Sequence, residues 1–348
     1  MPLVEQNSAV PALTAVVPAR NAAATLPRCL DALVAQACEA PIPIEIVVVD
    51  DFSDDETAAI AARYPVRLIG LGRHLGAAAA RNRGAEVARA PLLLFLDADV
   101  VLAPGALVRA FAAFANPAVG ALIGSYDDDP AEPSTVSRFK NLAHHYLHQR
   151  SGPRATTFWS GCGLVRREVF VNAGGFDDDR FALEDVELGY RMAAQGVRID
   201  LDPGLQVKHL KRWTIRSLLF TDVLLRGIPW TLLWLEGRRL PSGLNFSADQ
   251  RIAAIVAFAL ALAIFAVLFN PASWPLVAAL VVLAIWLNRG LYSLFLRKGG
   301  IWFAVKGFVL QQFYYLYSLF SLTAGVSIFA WRTFTRRFGA MVRRADAQ

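Results

Sequence analysis

Residues 92–99 read Leu-Leu-Leu-Phe-Leu-Asp-Ala-Asp, and this stretch decides the fold class. An unbroken apolar run that ends at once in acidic residues predicts a buried strand with a polar end. Similar apolar runs occur upstream at 13–19, 44–49 and 66–69. Segments with helical spacing separate them, at 22–37, 54–64 and 77–90. Strands that alternate with helices predict an α/β fold with a mostly parallel, Rossmann-like sheet covered on both faces.

Acidic residues follow two of the predicted strands. Asp50 and Asp51 end the second run, and Asp97 and Asp99 end the fourth. Such sheets bind ligands at the carboxyl ends of their strands. Two carboxylates one residue apart can hold a hard divalent cation, which in turn binds a diphosphate. An aspartate after the second run can accept hydrogen bonds from a base or a ribose, although helix capping explains it equally well.

The charge of the chain is divided unevenly. The 348 residues carry a formal charge of +6, with 55% hydrophobic and 18% charged types, which excludes a disordered chain. Residues 206–348 hold 17 Lys and Arg against 4 Asp and Glu, so their net charge is +13 and that of residues 1–205 is −7. A nucleic-acid-binding protein would carry its basic patch on a folded, water-facing domain, so no nucleic-acid partner is expected. The distribution instead predicts a soluble domain at 1–205 followed by a membrane-associated part.

The part beyond residue 205 divides into three segments. Residues 206–250 mix Arg and Lys with Trp, Leu and Phe, which predicts amphipathic helices in a membrane interface; helices packed on the sheet domain are the alternative. Membrane helices are expected over 251–331, as a hairpin of 252–269 and 274–296 and a third, uncharged segment at 307–331. Residues 332–348 form a basic tail. Because basic residues favour the cytoplasmic side, its five arginines leave two, three or four crossings open.

Two further features indicate the compartment. The three cysteines, an odd number without metal-type spacing, predict a reducing environment rather than a disulfide framework. The first residues lack a basic segment followed by an apolar run, so no signal peptide is expected. The sequence therefore predicts an inner (cytoplasmic) membrane protein with its first half on the cytoplasmic side.

Two motifs lack the pattern of the sites that they resemble. The segment 70–76 has the spacing GxGxxxG rather than that of a dinucleotide-binding loop, and it follows the third predicted strand rather than the first. His144, His145 and His148 have helical spacing but lack the further ligands of a zinc site. Neither a dinucleotide nor a zinc ion is expected.

Two polar segments near the end of the first half have both a structural and a functional interpretation. Glu184-Asp185 precede a predicted helix at 186–194, where the helix dipole favours carboxylates. The functional alternative is a general base that takes a proton from an attacking hydroxyl. His209 can contact a metal or a diphosphate, Arg212 can neutralise it, and Trp213 can stack on a sugar. An interfacial Trp and Arg anchor is the alternative for this second segment.

Taken in order, these motifs resemble the inverting, family 2 type of glycosyltransferase with the GT-A fold. The resemblance spans about residues 12–215 and rests on six segments: AVVPARN (15–21), EIVVVDDFSDDET (45–57), LGAAAARNRGAEVA (75–88), LLLFLDADV (92–100), GCGLVRREVFVNAGGFDDDRFALEDVELGYR (161–191) and HLKRW (209–213). Processive members and lipid glucosyltransferases of similar type carry Gln or Arg where this chain has His209. The resemblance therefore implies a non-processive, lipid-directed enzyme.

The resemblance also implies roles for individual residues. It places the nucleotide-sugar against Pro18, Arg20, Asp50, Asp51, Arg81, Asp97 and Ala98. It assigns the metal to Asp99, the direct ligand, with Asp97, and the catalytic base to Asp185. It assigns the acceptor side to Gly161, Gly174, Gly175, Glu184 and Trp213. It assigns contacts with the diphosphate to His209 and Arg212.

The implied function is a membrane-anchored transferase of glycolipid or cell-envelope polysaccharide biosynthesis. It would transfer a sugar from a nucleoside diphosphate sugar, expected to be a UDP-sugar, to a hydroxyl of a lipid or lipid-linked saccharide, with Mg²⁺ or Mn²⁺ as cofactor. A polyprenyl-phosphate sugar synthase is one alternative, although a phosphate acceptor needs little deprotonation and hence no base such as Asp185. A catalytically inactive, transferase-like membrane scaffold is the other. The sequence does not predict the oligomeric state.

Overall fold

The chain folds into two compact units, Met1–Arg212 and Trp213–Gln348. The structure is a computed structural model that describes residues 10–180, 182–237 and 248–345. The first unit contains a mixed sheet with flanking helices. The described residues of the second unit are mainly helical.

The described residues of the first unit form a nine-stranded sheet. Its strands are β1 (Leu13–Ala19), β2 (Ile44–Asp50), β3 (Arg67–Gly70), β4 (Leu92–Leu96), β5 (Val100–Leu102), β6 (Ala121–Tyr126), β7 (Arg154–Ala155), β8 (Cys162–Arg166) and β9 (Ile199–His209). The order across the sheet is β3-β2-β1-β4-β8-β6-β9-β5, and β7 pairs with β9. The chain order reverses between β1 and β4, which is where open α/β sheets bind ligands.

The first four strands predicted from the sequence are confirmed, and they pair in parallel as β3-β2-β1-β4. The rest of the sheet is mixed, because β8 runs antiparallel to both β4 and β6. The last strand corrects one boundary: residues 206–209, assigned from the sequence to the helical segment, belong to β9. They are extended because Val207 and His209 pair with Leu102 and Val100 of β5.

Seven helices accompany the sheet in the described part of the first unit. They are α1 (Leu26–Glu39), α2 (Thr57–Ala61), α3 (Ala77–Val87), α4 (Ala106–Ala113), α5 (Thr135–Arg150), α6 (Arg167–Asn172) and α7 (Glu184–Ala194). The three helices expected before β4 are present with different ends. Helix α1 begins four residues later than expected and has Pro27 in its first turn, where a missing N–H costs nothing. Helix α2 is shorter than expected, because the acidic residues before Thr57 form a loop.

Both faces of the parallel part of the sheet are buried, as the apolar strands predict. Leu30 and Leu33 of α1 belong to the same core cluster as Val17 of β1, on one face. Ala80 of α3 packs with Val49 of β2 on the other face. Burying a leucine side chain contributes about 1.5–3 kcal/mol. The carboxyl ends of β1, β2 and β4 are therefore held on a rigid, close-packed platform.

The second unit consists of α8 (Ile215–Leu219), a π-helical segment (Phe220–Gly227), α9 (Ile228–Leu235), α10 (Ala248–Val267), α11 (Trp274–Leu287) and α12 (Arg289–Ala345) within its described residues. Among the residues that the structure describes, three stretches are long and apolar enough to span a membrane: Ile215–Leu235, Asp249–Val267 and Arg289–Thr335. The first of them lies in the segment that the sequence analysis interpreted as interfacial.

The second arm of the hairpin expected from the sequence is divided between two helices, α11 and α12. The predicted segment 274–296 is interrupted at Asn288, whose side-chain amide donates to the carbonyl of Ala284 at 3.2 Å. Helix α12 then runs through the whole predicted third segment, 307–331, and has one non-helical residue, Gly300, at φ 68°. The uncharged segment is therefore the middle of a longer helix.

Helix α12 packs closely against the π-helical segment within the second unit. A Cβ on Gly227 would lie 2.5 Å from the Cβ of Ser321, so only glycine permits this approach. The buried carboxylate of Asp222 accepts a hydrogen bond from the hydroxyl of Tyr317 at 2.7 Å. Small residues and interhelical hydrogen bonds are the usual contacts between membrane helices.

Candidate active site

A cavity of about 750 Å³ opens at the carboxyl ends of β1, β2 and β4. This volume suits a substrate of the size of a nucleotide. Its walls contain eight of the residues singled out from the sequence: Pro18, Arg20, Asp51, Arg81, Asp97, Ala98, Asp99 and Arg212. The other predicted site residues of the first unit lie outside these walls: Asp50, Gly161, Gly174, Gly175, Glu184, Asp185 and His209.

Arg81, on α3, joins the two acidic motifs. Its Nη2 donates to Asp97 Oδ1 at 2.7 Å, and its Nη1 donates to Glu184 Oε1 at 2.7 Å. The side chain is only 5% exposed. Burial lowers the pKa of Arg81, but the charges of Asp97 and Glu184 outweigh burial and raise it above its ordinary value. Both terminal nitrogens of Arg81 are thus engaged by carboxylates, and its expected contact with the nucleotide stays a prediction.

Asp51 is fixed by the loop that precedes α3. Its carboxylate accepts hydrogen bonds from the backbone N–H groups of Leu75 at 2.7 Å and Gly76 at 2.9 Å. The imidazole of His74 lies 2.7 Å away through Nδ1. His74 also lines the cavity, and the sequence analysis missed it because the two residues are 23 positions apart with no local pattern to connect them.

Asp50 has a structural role, the kind of alternative that its position after the second predicted strand left open. Its buried carboxylate accepts hydrogen bonds from the hydroxyl and the backbone N–H of Ser53. Asp50 therefore closes the turn after β2. The contact with the nucleotide that the sequence analysis expects for Asp50 stays a prediction.

Asp99 is paired with a histidine at the end of β9. Its Oδ2 lies 3.3 Å from His209 Nε2, and the imidazole stacks on Tyr126 with a centroid distance of 4.7 Å and an interplanar angle of 9°. Burial raises the pKa of Asp99, but the hydrogen bond and charge of His209 and the charge of Lys211 outweigh it, and the pKa lies below its usual value. Asp99 therefore stays ionised at neutral pH.

Asp99 and His209 have the chemistry of metal ligands but do not surround an ion. Carboxylate and imidazole both bind Mn²⁺, whereas Mg²⁺ prefers oxygen ligands. Asp97, the second predicted ligand, is engaged by Arg81. Among the described residues, no group of three or more His, Cys, Asp or Glu side chains is arranged to hold a metal. A divalent cation fits this site only if a substrate or water supplies its remaining ligands.

Asp185 lies in the first turn of α7, half-buried beside Ser160. The N–H and the hydroxyl of Ser160 both donate to Asp185 Oδ2 at 3.3 Å. Burial, and then the charge of Glu184, raise the pKa of Asp185 to about 6. Its carboxylate is thus ionised at neutral pH but more basic than an ordinary aspartate.

The approach of α7 to the loop before β8 depends on Gly189, which the sequence analysis did not single out. A Cβ at this position would lie 2.2 Å from the backbone nitrogen of Phe158 and 2.5 Å from the carbonyl carbon of Thr157. These backbone atoms cannot move aside to make room for a Cβ. The absence of a side chain at Gly189 therefore sets the distance between Asp185 and Ser160. A single glycine within a helix carries no sequence signal for a contact of this kind.

The three glycines expected on the acceptor side have conformational roles. Gly174 and Gly175 follow α6 with φ of 84° and 68°, a region in which other residues are strained. A Cβ on Gly161 would lie 2.8 Å from the indole ring of Trp159. Their placement toward an acceptor stays a prediction, as does that of Trp213, a buried residue at the start of the second unit.

Basic side chains form part of the cavity walls. Arg20 and Arg212 were expected there, and Arg28 of α1 and Lys211 are additional. Arg20, Arg28 and Arg212 form no ion pair with any residue that the structure describes. The cavity therefore offers positive charge to an anionic ligand.

Residues 14–173 match the model of glycosyl transferase family 2. These residues form a family 2 glycosyltransferase domain. The matched segment runs from β1 past β8 and contains Asp51, Asp97 and Asp99. Glu184, Asp185 and His209 lie beyond it.

Part of the chain is also similar to individual proteins. A validoxylamine A glucosyltransferase of Streptomyces hygroscopicus subsp. limoneus is 33% identical over an alignment of 232 residues, and the match covers 56% of this chain and 51% of that protein. An uncharacterized protein of Mycobacterium tuberculosis is 32% identical over an alignment of 208 residues, and the match covers 55% of this chain and 64% of that protein. The chain thus spans between half and two thirds of the length of these relatives.

A solved structure shares the fold. It is the mannosyltransferase PcManGT from Pyrobaculum calidifontis in complex with GDP-Man and Mn²⁺, with a TM-score of 0.51 and 18% identity, and the likeness covers 92% of this chain and 88% of that one. The family 2 domain therefore has the GT-A fold, a Rossmann-like arrangement with a mostly parallel sheet.

Proposed function

We propose that this chain is a membrane-anchored, inverting glycosyltransferase that transfers a sugar from a nucleoside diphosphate sugar to a hydroxyl of a lipid or lipid-linked saccharide. The observation that carries the proposal is the bridge from Asp97 through Arg81 to Glu184, beside Asp185. It brings two acidic motifs, 87 positions apart between Asp97 and Glu184, to one edge of a family 2 domain.

The donor would occupy the cavity at the switch point of the sheet. Asp51 would accept hydrogen bonds from the nucleoside, close to Pro18 and Arg20, since all three lie in the walls. Arg212 would offset the negative charge of the diphosphate, as charge-assisted contacts of arginine with phosphate do. A UDP-sugar is the expected donor; the related mannosyltransferase structure holds GDP-Man.

Asp99 and His209 would hold a divalent cation, Mn²⁺ or Mg²⁺. When bound, such a cation stabilises negative charge on the leaving diphosphate. The related mannosyltransferase structure contains Mn²⁺. On the protein side, Arg81 keeps Asp97 in place and Tyr126 supports the imidazole of His209.

Asp185 would act as the general base. A carboxylate with a pKa of about 6 is ionised at neutral pH and takes a proton more readily than an ordinary aspartate. The deprotonated acceptor hydroxyl then attacks the anomeric carbon from the face opposite the leaving diphosphate. One displacement inverts that carbon and needs no covalent intermediate with the protein.

The second unit supports a membrane location and a lipid acceptor. It has three stretches that are long and apolar enough to span a bilayer. The part of the chain from residue 206 carries a net charge of +13, which favours a surface with anionic lipids. On this basis the family 2 domain would face the cytoplasm, where nucleotide-sugars are made.

The test is transfer of radiolabelled sugar by the full chain in nanodiscs. UDP-glucose, UDP-galactose and GDP-mannose serve as donors, with a bacterial total lipid extract as acceptor and Mn²⁺ or Mg²⁺ present. Loss of a catalytic base or of a metal ligand lowers rates by about 10²–10⁴-fold, so Asp185→Asn and Asp99→Asn should reduce transfer to that extent. Glu168→Gln, at an exposed position on α6, is the matched control. Unchanged transfer by both site variants would refute the proposal.

A further inference from the structure

Glu132 differs from the other carboxylates in the walls of the cavity. Asp51 is held by backbone N–H groups, Asp97 by Arg81 and Asp99 by His209. The half-buried side chain of Glu132 forms no hydrogen bond or ion pair with any residue in the part of the chain that the structure describes. A carboxylate that lines a cavity without a protein partner is available to a ligand.

The loop that carries Glu132 is fixed at its beginning. Lys208 of β9 places its Nζ 2.8 Å from Asp127 Oδ2 and 2.8 Å from Asp129 Oδ2. The side-chain amide of Asn141, on α5, donates to the carbonyl of Asp127 at 2.8 Å. The acidic run before Glu132, residues 127–129, is therefore anchored on both β9 and α5.

The same loop is also fixed at its end. Pro130 and Pro133 flank Glu132 closely and restrict φ at their own positions. Ser134 then caps α5, because its Oγ accepts a hydrogen bond from the backbone N–H of Ser137 at 3.3 Å. The position of Glu132 is thus set before a ligand arrives, which reduces the entropy lost on binding.

The chemistry of Glu132 indicates which part of a substrate it contacts. A carboxylate repels a diphosphate, and the walls already contain Arg20, Arg28 and Arg212 for that charge. The remaining part of a nucleotide-sugar, and the whole of a saccharide acceptor, presents hydroxyl groups. A carboxylate accepts strong, charge-assisted hydrogen bonds from such hydroxyls.

We propose that Glu132 is a specificity-determining residue that binds hydroxyl groups of a neutral sugar. The proposal rests on the proposed function, because it assumes a sugar substrate in this cavity. The sugar belongs either to the donor or to the acceptor, and both offer the same hydroxyl chemistry. A uronic acid in either place would be disfavoured by repulsion between two carboxylates.

The test uses Glu132→Ala and Glu132→Gln in the full chain, with Glu39→Gln as control. Glu39 ends α1, is exposed and lies outside the cavity walls, so its variant makes the same change in charge away from the site. Because Glu132 has no partner in the described protein, we expect the unfolding temperatures of all three variants to match that of the wild type.

The donor arm compares nucleotide-sugars with free nucleotides. A hydrogen bond to a charged group is worth a factor of about 10–100, so Glu132→Ala should weaken UDP-glucose or GDP-mannose binding by that factor and leave UDP and GDP binding unchanged. Glu132→Gln should have a smaller effect on neutral sugars and should improve the binding of UDP-glucuronate relative to UDP-glucose. This pattern assigns Glu132 to the donor sugar.

The acceptor arm compares hydrolysis with transfer. If Glu132 binds the acceptor sugar, donor binding and donor hydrolysis stay unchanged while KM for the lipid extract rises about 10–100-fold in Glu132→Ala. Wild-type values in both arms for Glu132→Ala would overturn the inference. If the wild type and Glu39→Gln bind no nucleotide-sugar at all, the proposed function itself fails, and this inference fails with it.

Discussion

Replacing Arg81 with methionine should destabilise the first unit by about 3 kcal/mol. Removing one partner of a buried ion pair costs about 3–5 kcal/mol, because the other charge stays buried without a partner. Glu184 is only 17% exposed, so its charge would stay buried without a partner. Asp97 is 36% exposed, so water can replace its contact with Arg81. The cost should therefore lie at the lower end of the range. Methionine is chosen because it fills much of the same space.

Thermal unfolding of the full chain in detergent measures this effect. For a domain of about 150–250 residues, 1 kcal/mol corresponds to roughly 2–4 °C, so Arg81→Met should lower the unfolding temperature by about 6–12 °C. Arg81→Lys keeps the charge but cannot reach both carboxylates in a fork, so it should lower the temperature by an intermediate amount.

The matched comparison is a cycle with Glu184→Gln. In the Arg81→Met background, Glu184→Gln should recover part of the lost stability, because it removes the carboxylate that was left without a partner. Asp97→Asn alone should cost less than about 1 kcal/mol, since that arm of the bridge is the more exposed one. A fall of less than 2 °C in Arg81→Met, or no recovery in the double variant, would contradict the reasoning.

Three further predictions concern pH and packing. Because the pKa of Asp185 is raised to about 6, ionisation of this side chain lowers the folding stability as pH rises from about 4 to 6. Asp185→Asn should therefore raise the unfolding temperature above pH 6 but not near pH 4. Sugar transfer by the wild type should decline below about pH 6. Burial lowers the pKa of His148 to about 4, so the folding stability should fall as pH drops from 6.5 to 4. In melting curves recorded over this pH range, His148→Phe should show a smaller fall than the wild type. Gly189→Ala should lower the free energy of unfolding in urea by about 1–3 kcal/mol, because the added Cβ would push α7 and Asp185 away from Phe158. For the same reason it should lower kcat more than it changes KM. A wild-type kcat would count against this role of Gly189.

The strands around the cavity were predictable because their signal is local. Leu92–Leu96 is continuously apolar and ends in Asp97, so both the burial of β4 and its polar end follow from the sequence alone. The partners of the polar residues were not predictable in this way. Arg81 has carboxylate partners 16 and 103 positions away, and its pairing with them depends on how α3 and α7 meet.

Tertiary pairing also explains the misplaced boundaries. Residues 206–209 have the basic and apolar mixture of an interfacial helix, yet they are strand because β5 offers an open edge to Val207 and His209. Glu132 and His74 were overlooked for the same reason, since a carboxylate or an imidazole in a polar loop acquires meaning only when a cavity forms beside it.

The length of α12 has a consequence for the basic residues on either side of its uncharged segment. The part of α12 that follows the non-helical Gly300, residues 301–335, measures roughly 52 Å at about 1.5 Å per residue, well over the hydrocarbon core of about 30 Å. Lys306 and Arg332, on either side of the uncharged segment, are 26 residues and therefore about 39 Å apart along one helix. A single crossing between them would put both charges in the headgroup layers without any snorkelling, and would leave the turns beyond Arg332 standing clear of the lipid.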